Sequence, residues 1–132
     1  MKVLLDSDIC IYIIKRKPAD VLKRFQEFEP GEIAVSSITV AELMYAASKS
    51  QKPRQNQSAI EQFLTPLSVL PFDDTSAVIY GHVRANLERL GTPIGPYDTL
   101  IAAQALQQKV VLVTNNVREF ARIPGLVVEN WV

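Results

Sequence analysis

The chain has 132 residues, 48% apolar and 21% charged, and its 14 basic and 14 acidic side chains leave a formal net charge of zero. That length supports one domain with a buried core and is too short for two; the composition excludes a disordered chain, and the charge balance argues against the net positive charge usual in nucleic-acid binders. A single cysteine, Cys10, excludes an internal disulfide and suits a reducing compartment. No apolar run approaches the roughly 18 residues of a membrane span, and Asp6 and Asp8 interrupt what would be the apolar region of a signal peptide, so a soluble cytoplasmic protein is expected.

Val3 to Leu5 reads as a buried strand whose carboxyl end delivers Asp6 and Asp8. A helix follows from about Ser7 to Lys15, with Asp6 or Ser7 as its cap, and the run Lys15-Arg16-Lys17-Pro18 ends it. Val21, Leu22, Phe25 and Phe28 recur at helical spacing in a second helix from Pro18 to Phe28, and Pro30-Gly31 makes a turn. Ile33 to Val35 is a second strand; Ser37 caps a helix from Ile38 to Lys49. A polar stretch from Lys49 to Asn56 leads to another helix ending near Leu67, followed by a third strand, Val69 to Phe72. Asp73-Asp74-Thr75 caps the longest helix, which runs to Gly91 with Val78, Ile79, Val83, Leu87 and Leu90 on its apolar side. After the turn-rich loop Gly91 to Pro96, Asp98 opens an almost wholly apolar helix that must be buried on most sides. Val110 to Val113 is a fourth strand, Val117 to Ala121 a short helix and Leu126 to Val128 a marginal fifth strand. Strands alternate with helices and do not alternate in polarity. This predicts an α/β fold, a mostly parallel sheet of four to five strands with helices on both faces.

Parallel topology brings the carboxyl ends of the strands to one edge, where ligands bind in open α/β sheets. Four places put polar or acidic groups there: Asp6 and Asp8 after strand one, Glu42 in the helix after strand two, Asp98, and Thr114, Asn116 and Glu119 after strand four. Taken singly, Asp6 and Asp98 also fit helix caps, Asp8 a first-turn acid facing the helix dipole, and the asparagines turn residues. Glu42 falls in line with Ile38, Tyr45 and Ala46, not on a solvated polar face. Several carboxylates in one pocket cannot all stay ionised unaided. A hard divalent cation with oxygen ligands, Mg²⁺ or Mn²⁺, is the natural compensation. Such a metal activates water for in-line attack on a phosphate. Neutralising Asp6, Glu42, Asp98 and Glu119 leaves 10 of the 14 acids against 14 bases, a mildly basic exterior. Lys15, Arg16 and Lys17, then Lys49, Lys52 and Arg54, form clusters that could hold a nucleic-acid backbone.

Four segments, Leu4-Leu5-Asp6-Ser7-Asp8-Ile9, Val35 to Leu43, Ile94 to Ala102 and Val113 to Phe120, occur in an order and spacing that resembles the PIN-domain ribonucleases, and within them the VapC-type toxins. The resemblance runs nearly end to end. It implies an αβα sandwich in a single domain over residues 1–132, Mg²⁺-dependent endoribonuclease activity and a homodimer. It further implies a VapB-type antitoxin that blocks the site, and structured RNA, commonly a tRNA loop, cut so that translation stops. By position, Asp6, Glu42 and Asp98 would be the central metal acids. Ser7 keeps the hydroxyl of a usual Thr, and Asp8 adds a charge where Asn is common. Asn116 stands where many members have Asp, so Glu119 would supply that charge, and the departure bears on whether one or two metals bind. Cleavage would leave 5′-phosphate and 3′-hydroxyl ends. The lone histidine, His82, read as a helix-boundary residue, excludes a mechanism built on paired histidines.

Three alternatives stand beside this. Asp6-Ser7-Asp8 matches the Asp-x-Asp opening of haloacid-dehalogenase-type phosphatases, with Asp6 as nucleophile, but no later strand is followed by a suitable Lys. A receiver domain would need a Lys after the last strand, where Asn130 to Val132 offers none. A catalytically weak PIN-like binding module would be expected to have lost acids that this chain keeps.

Overall fold

Val3–Leu5 forms β1, the middle strand of a five-stranded, wholly parallel sheet in the order β3-β2-β1-β4-β5, in a computed structural model describing residues 1–132. Its neighbours are β2 (Ile33–Ser36) and β4 (Val111–Val113), in register at Leu5 with Val35 and Val113. β3 (Ser68–Leu70) and β5 (Val128–Glu129) are the edges. Strand side chains alternate between faces, and the core divides accordingly. Val3, Leu5, Ile33 and Val35 pack with Ile9, Ile13 and Leu43 on one face; Leu4, Ala34 and Leu112 pack with Leu87, Ile101, Ala105 and Phe120 on the other. The first face is covered by α1 (Ser7–Lys15), α2 (Ala19–Gln26), α3 (Ser37–Ser48) and α4 (Pro53–Leu64). The second carries α5 (Asp74–Arg89), α6 (Pro96–Gln108) and α7 (Val117–Phe120). No helix is long and apolar enough to cross a membrane.

The sandwich with helices on both faces is the one expected, and the differences are local. Ser36, not Ser37, caps α3: its Oγ accepts from the Ile38 N–H at 3.0 Å, while Ser37 Oγ accepts from the Phe72 N–H. Adjacent hydroxyls are equivalent in sequence, and the strand's end decides between them. Pro18 is the residue before α2 rather than its first, and Pro30–Glu32 forms a single 3-10 turn. α4 starts at Pro53, so Arg54 and Asn56 are helical rather than part of the polar stretch. α6 starts at Pro96, with proline at the position whose missing N–H costs nothing, and Asp98 is in its first turn instead of capping it. β3 ends at Leu70 and leaves Val69 45% exposed, so the sheet is uncovered at that edge. β5 lies one to two residues later than expected. In α5 the apolar stripe is only partly used: Leu87 is buried, whereas Val78 and Leu90 are about 60% exposed. His82 lies in the middle of α5, exposed, not at a boundary.

Candidate active site

The carboxyl end of β1 points Asp6 into the edge of the sheet, where the side chain is 5% exposed. Both of its oxygens are held. Oδ1 accepts from the Ser7 N–H at 2.9 Å, capping α1, and Oδ2 accepts from the Thr114 hydroxyl at 2.7 Å. Thr114, fully buried at the end of β4, also accepts from the Asn116 N–H at 2.9 Å, so one hydroxyl ties the two strand ends together. Burial raises the Asp6 pKa; the Thr114 and Ser7 hydrogen bonds pull against it, and the Glu119 charge adds to the rise.

Asp8, in the first turn of α1, accepts from the Ile9 N–H at 2.7 Å and from the Asn115 N–H at 3.1 Å. It bridges α1 to the turn after β4. Burial and the neighbouring Asp6 charge push it up to about 6.

Glu42 and Asp98 are differently placed. Glu42 lies in the second turn of α3, with its Oε1 buried and without a hydrogen-bond partner. Burial, then the Asp6 charge, raises its pKa. Tyr45 and Ala46, on the same line of the helix, are exposed, so this line is a site wall and not a covered apolar stripe. Asp98 is pushed up to about 7 by burial, then by Asp6, Glu119, Glu42 and Asp8. The charges that act most strongly on Asp98 are all negative. Its helix neighbours Ile101, Ala102 and Ala105 are buried in the core, which fixes the direction in which it projects.

Glu119, in α7, accepts from the Gly95 N–H at 3.0 Å through Oε1 and from the Asn116 side-chain amide through Oε2. A β-carbon added at Gly95 would stand 3.8 Å from Asp98 Oδ2 and 4.0 Å from Glu119 Oε1. The loop before α6 therefore brings these two carboxylates together over the bare Cα of one glycine. Asn116 supports Glu119 through its side-chain amide.

All five acids are thus brought to one edge, together with Ser7, Thr114 and Asn116. The basic clusters are not. Lys15, Arg16 and Lys17 are exposed at the far end of α1, with Lys15 about 10 Å of helix beyond Asp8. Lys49, Lys52 and Arg54 are exposed around the α3–α4 junction, at the far end of the helix that carries Glu42; of these Lys49 alone reaches back towards the acids, its Nζ over the Tyr45 ring.

One determinant was not read from the sequence. Gln104, fully buried in α6, accepts from the Ser36 hydroxyl and donates to the Leu70 carbonyl at 3.1 Å. It sets α6, which carries Asp98, against the start of α3, which carries Glu42. The available signal was a lone amide inside the apolar run Ile101 to Ala105, since such a group demands partners when buried. Gly95 reads in the sequence only as a turn residue, although its N–H holds Glu119.

The donor set is wholly oxygen and anionic, which suits a hard divalent cation. The partnerless Glu42 Oε1 and the mutual repulsion at Asp98 are what such an ion would relieve. No three of the acids already form a closed ligand cage, as expected of like charges with nothing between them. Each Asp6 oxygen accepts one hydrogen bond and keeps a second lone pair for a metal ion, but both are buried and held, which disfavours Asp6 as a nucleophile that must swing onto a phosphate.

A family model described as the PIN domain matches residues 3–126. The chain is 45% identical over 131 residues to the tRNA(fMet)-specific endonuclease VapC of Shigella flexneri, covering 99% of this chain and 98% of that protein. It is 46% identical over 132 residues to the ribonuclease VapC2 of Haemophilus influenzae, covering 100% and 99%. Among solved structures it superposes on a chain of the DNA-bound VapBC of Salmonella typhimurium with a TM-score of 0.94 at 45% identity, covering 100% and 99%.

Proposed function

This chain belongs to the PIN-domain family and, within it, to the VapC ribonucleases, and from that premise we propose that it is a divalent-metal-dependent endoribonuclease, the toxin of a toxin–antitoxin pair, cutting a structured RNA of the tRNA class. The observation that carries the reading is the convergence at one sheet edge of Asp6, Glu42 and Asp98, which come from three different segments of the chain and have no cation among them.

Asp6, Glu42 and Asp98 would hold the ion, Mg²⁺ or Mn²⁺. Bound there, it would neutralise the carboxylates and lower the pKa of a bound water so that hydroxide is available near neutral pH. The chain's own residues do the rest. Thr114 and the Ser7 N–H fix both oxygens of Asp6 so that its carboxylate cannot rotate away. Asp8 holds the turn after β4 against α1 through Asn115, and Glu119 holds the loop before Asp98 through the Gly95 N–H. Gln104 and Ser36 keep α3 and α6 together. Water attack would leave a 5′-phosphate and a 3′-hydroxyl, and requires no ribose 2′-hydroxyl.

A VapB-type antitoxin partner and a homodimer follow from the same reading; the solved VapBC neighbours support the first. The tRNA(fMet) specificity of the Shigella relative makes initiator tRNA the first substrate to try. The test is incubation of the purified protein with total tRNA, with Mg²⁺ or with EDTA, beside Asp98→Asn. Cleavage is expected only for the wild type with metal. Cleavage by the variant would overturn the site, and full cleavage in EDTA would overturn the metal dependence.

A further inference from the structure

Two tyrosines stand beside the acids without being explained by the core. Tyr45 follows Glu42 by one turn of α3 and is 66% exposed; Tyr97 immediately precedes Asp98 in α6 and is 58% exposed. With Ile38, Ala41 and Glu42 they line one cavity of about 470 Å³, within the range of about 300–1,000 Å³ usual for small-ligand sites. Its walls are aromatic and aliphatic, and one side is the carboxylate whose Oε1 has no partner. Each tyrosine is therefore tied by a rigid helix to one of the acids: Tyr45 to Glu42, Tyr97 to Asp98.

A third group completes the arrangement. Lys49, one turn after Tyr45, holds its Nζ over one face of the Tyr45 ring, 4.7 Å from its centre, so that a base would stack on the opposite face of this largely exposed side chain. Aromatic faces with a cation alongside are what single-stranded nucleic acid requires, the ring for a base and the ammonium for the backbone. Glu42 both lines this cavity and belongs to the acid site, and Tyr97 adjoins Asp98 in sequence, so a base beside a phosphate held at the acids would meet these rings. A protein surface closing on the same face would have to bring its own cation to Glu42, because that carboxylate cannot be buried against apolar walls unpaired.

We propose that Tyr45 and Tyr97 form a stacking slot for the unpaired nucleobase next to the scissile phosphate, with Lys49 holding the adjoining phosphate. The slot rests on the ribonuclease reading and adds to it a reason for preferring unpaired RNA: only a base out of a duplex can enter. Because every base has a stacking face, the slot selects for unpairedness more than for sequence.

The test uses the full chain and a tRNA stem-loop whose cleavage position has first been mapped from the product ends. Tyr45→Ala and Tyr97→Ala should each raise KM roughly 5- to 100-fold, the range for one lost base–aromatic stack, with kcat nearly unchanged. Tyr45→Phe and Tyr97→Phe should restore KM, because the ring is kept. An abasic residue beside the mapped cut should raise KM for the wild type and add little in the alanine variants. Wild-type protein that cleaves, with alanine variants of unchanged KM, would overturn the slot and leave the ribonuclease reading standing. Wild-type protein that cleaves no RNA would overturn the reading itself. If KM rises in the alanine variants only as they change from dimer to monomer in sedimentation, with the abasic substitution without effect, the face belongs to a second copy of the chain and the slot is wrong.

Discussion

Replacing Asp98 by Asn should make the metal-free protein more stable while removing its activity. The Asp98 carboxyl is raised from its ordinary value near 3.8 to about 7, chiefly by burial and then by four neighbouring acids. At pH 8 the folded protein therefore carries a charge that its surroundings oppose. A raised folded-state pKa means that the native state binds more protons than the unfolded one between about pH 4 and 7, so stability falls as pH rises through that window. The penalty is absent below about pH 4, where both states are protonated, and complete above about pH 7. Three units would correspond to about 4 kcal/mol at about 1.4 kcal/mol per unit. Asp98 is only partly buried, and solvent screening reduces this to about 1–2 kcal/mol. The asparagine side chain keeps the shape, carries no charge and breaks no hydrogen bond within the chain.

The assay is thermal unfolding of both proteins in EDTA from pH 4 to 8. For a domain of this size the variant should melt about 4–8 °C higher at pH 8, with the difference vanishing near pH 4. Adding Mg²⁺ should raise the wild-type melting temperature and leave that of Asp98→Asn nearly unmoved, because binding to the native state stabilises it by mass action. A variant less stable than the wild type at pH 8 in EDTA, or a pH-independent difference, would refute the reasoning. A functional carboxylate that destabilises its own fold is an ordinary form of the trade between stability and activity.

Three further outcomes are expected. Thr114→Val removes the donor to Asp6 Oδ2; it should cost about 1–3 kcal/mol in urea unfolding and reduce cleavage about 10- to 100-fold, with the acidic limb of the pH–rate profile moved upward as Asp6 becomes harder to ionise. Gln104→Leu leaves the Leu70 carbonyl without its partner and frees α3 from α6; a stability loss of about 1–2 kcal/mol should be accompanied by reduced single-turnover cleavage, and undiminished cleavage would show that the two helices need no such tie. Cys10 is fully buried and its thiol is pushed well above the ordinary range, so a thiol reagent at pH 8 should find no reactive group in the folded protein and one in urea; rapid reaction in native buffer would contradict the placement of α1 on the sheet.

What the sequence made legible was whatever depends on apolar runs and on topology. Val3 to Leu5, Ile33 to Val35 and Val110 to Val113 are short and apolar on both faces, so a parallel sheet followed, and with it the edge on which Asp6, Glu42 and Asp98 meet. What it hid was whatever depends on which of two equivalent groups the fold selects. Ser36 and Ser37 are chemically interchangeable, and only the end of β2 chooses the cap. Asp98 resembles a cap because an acid opens an apolar run, yet Pro96 is the better first residue. The α5 stripe reads as one apolar side, but the core takes up Leu87 and part of Val83 and leaves Val78 and Leu90 outside. Tyr45 could be placed on the Glu42 line and Tyr97 beside Asp98, but a tyrosine in a helix is indistinguishable from core until its exposure is known, and these two are 66% and 58% exposed.

The acids divide into two classes that the sequence presents as one. Asp6, Asp8 and Glu119 each have both oxygens engaged, one by a donor nearby in sequence and one by a donor from another segment; they build the frame. Glu42, with a buried oxygen that nothing satisfies, and Asp98, with no hydrogen bond within the chain and the neighbours' repulsion concentrated on it, are the pair left open. These two belong to different layers: α3 packs through Leu43 and Ala47 on one side of the sheet, and α6 through Ile101, Ala102 and Ala105 on the other. A cation held by Asp6, Glu42 and Asp98 would therefore join both helical layers to the central strand. Its binding should protect the whole fold, not the site alone, and hydrogen exchange in the cores of α3 and α6 should slow together when metal is added. Protection confined to the α6 N-terminus would mean that Glu42 is not a ligand and that the ion rests on Asp6 and Asp98 alone.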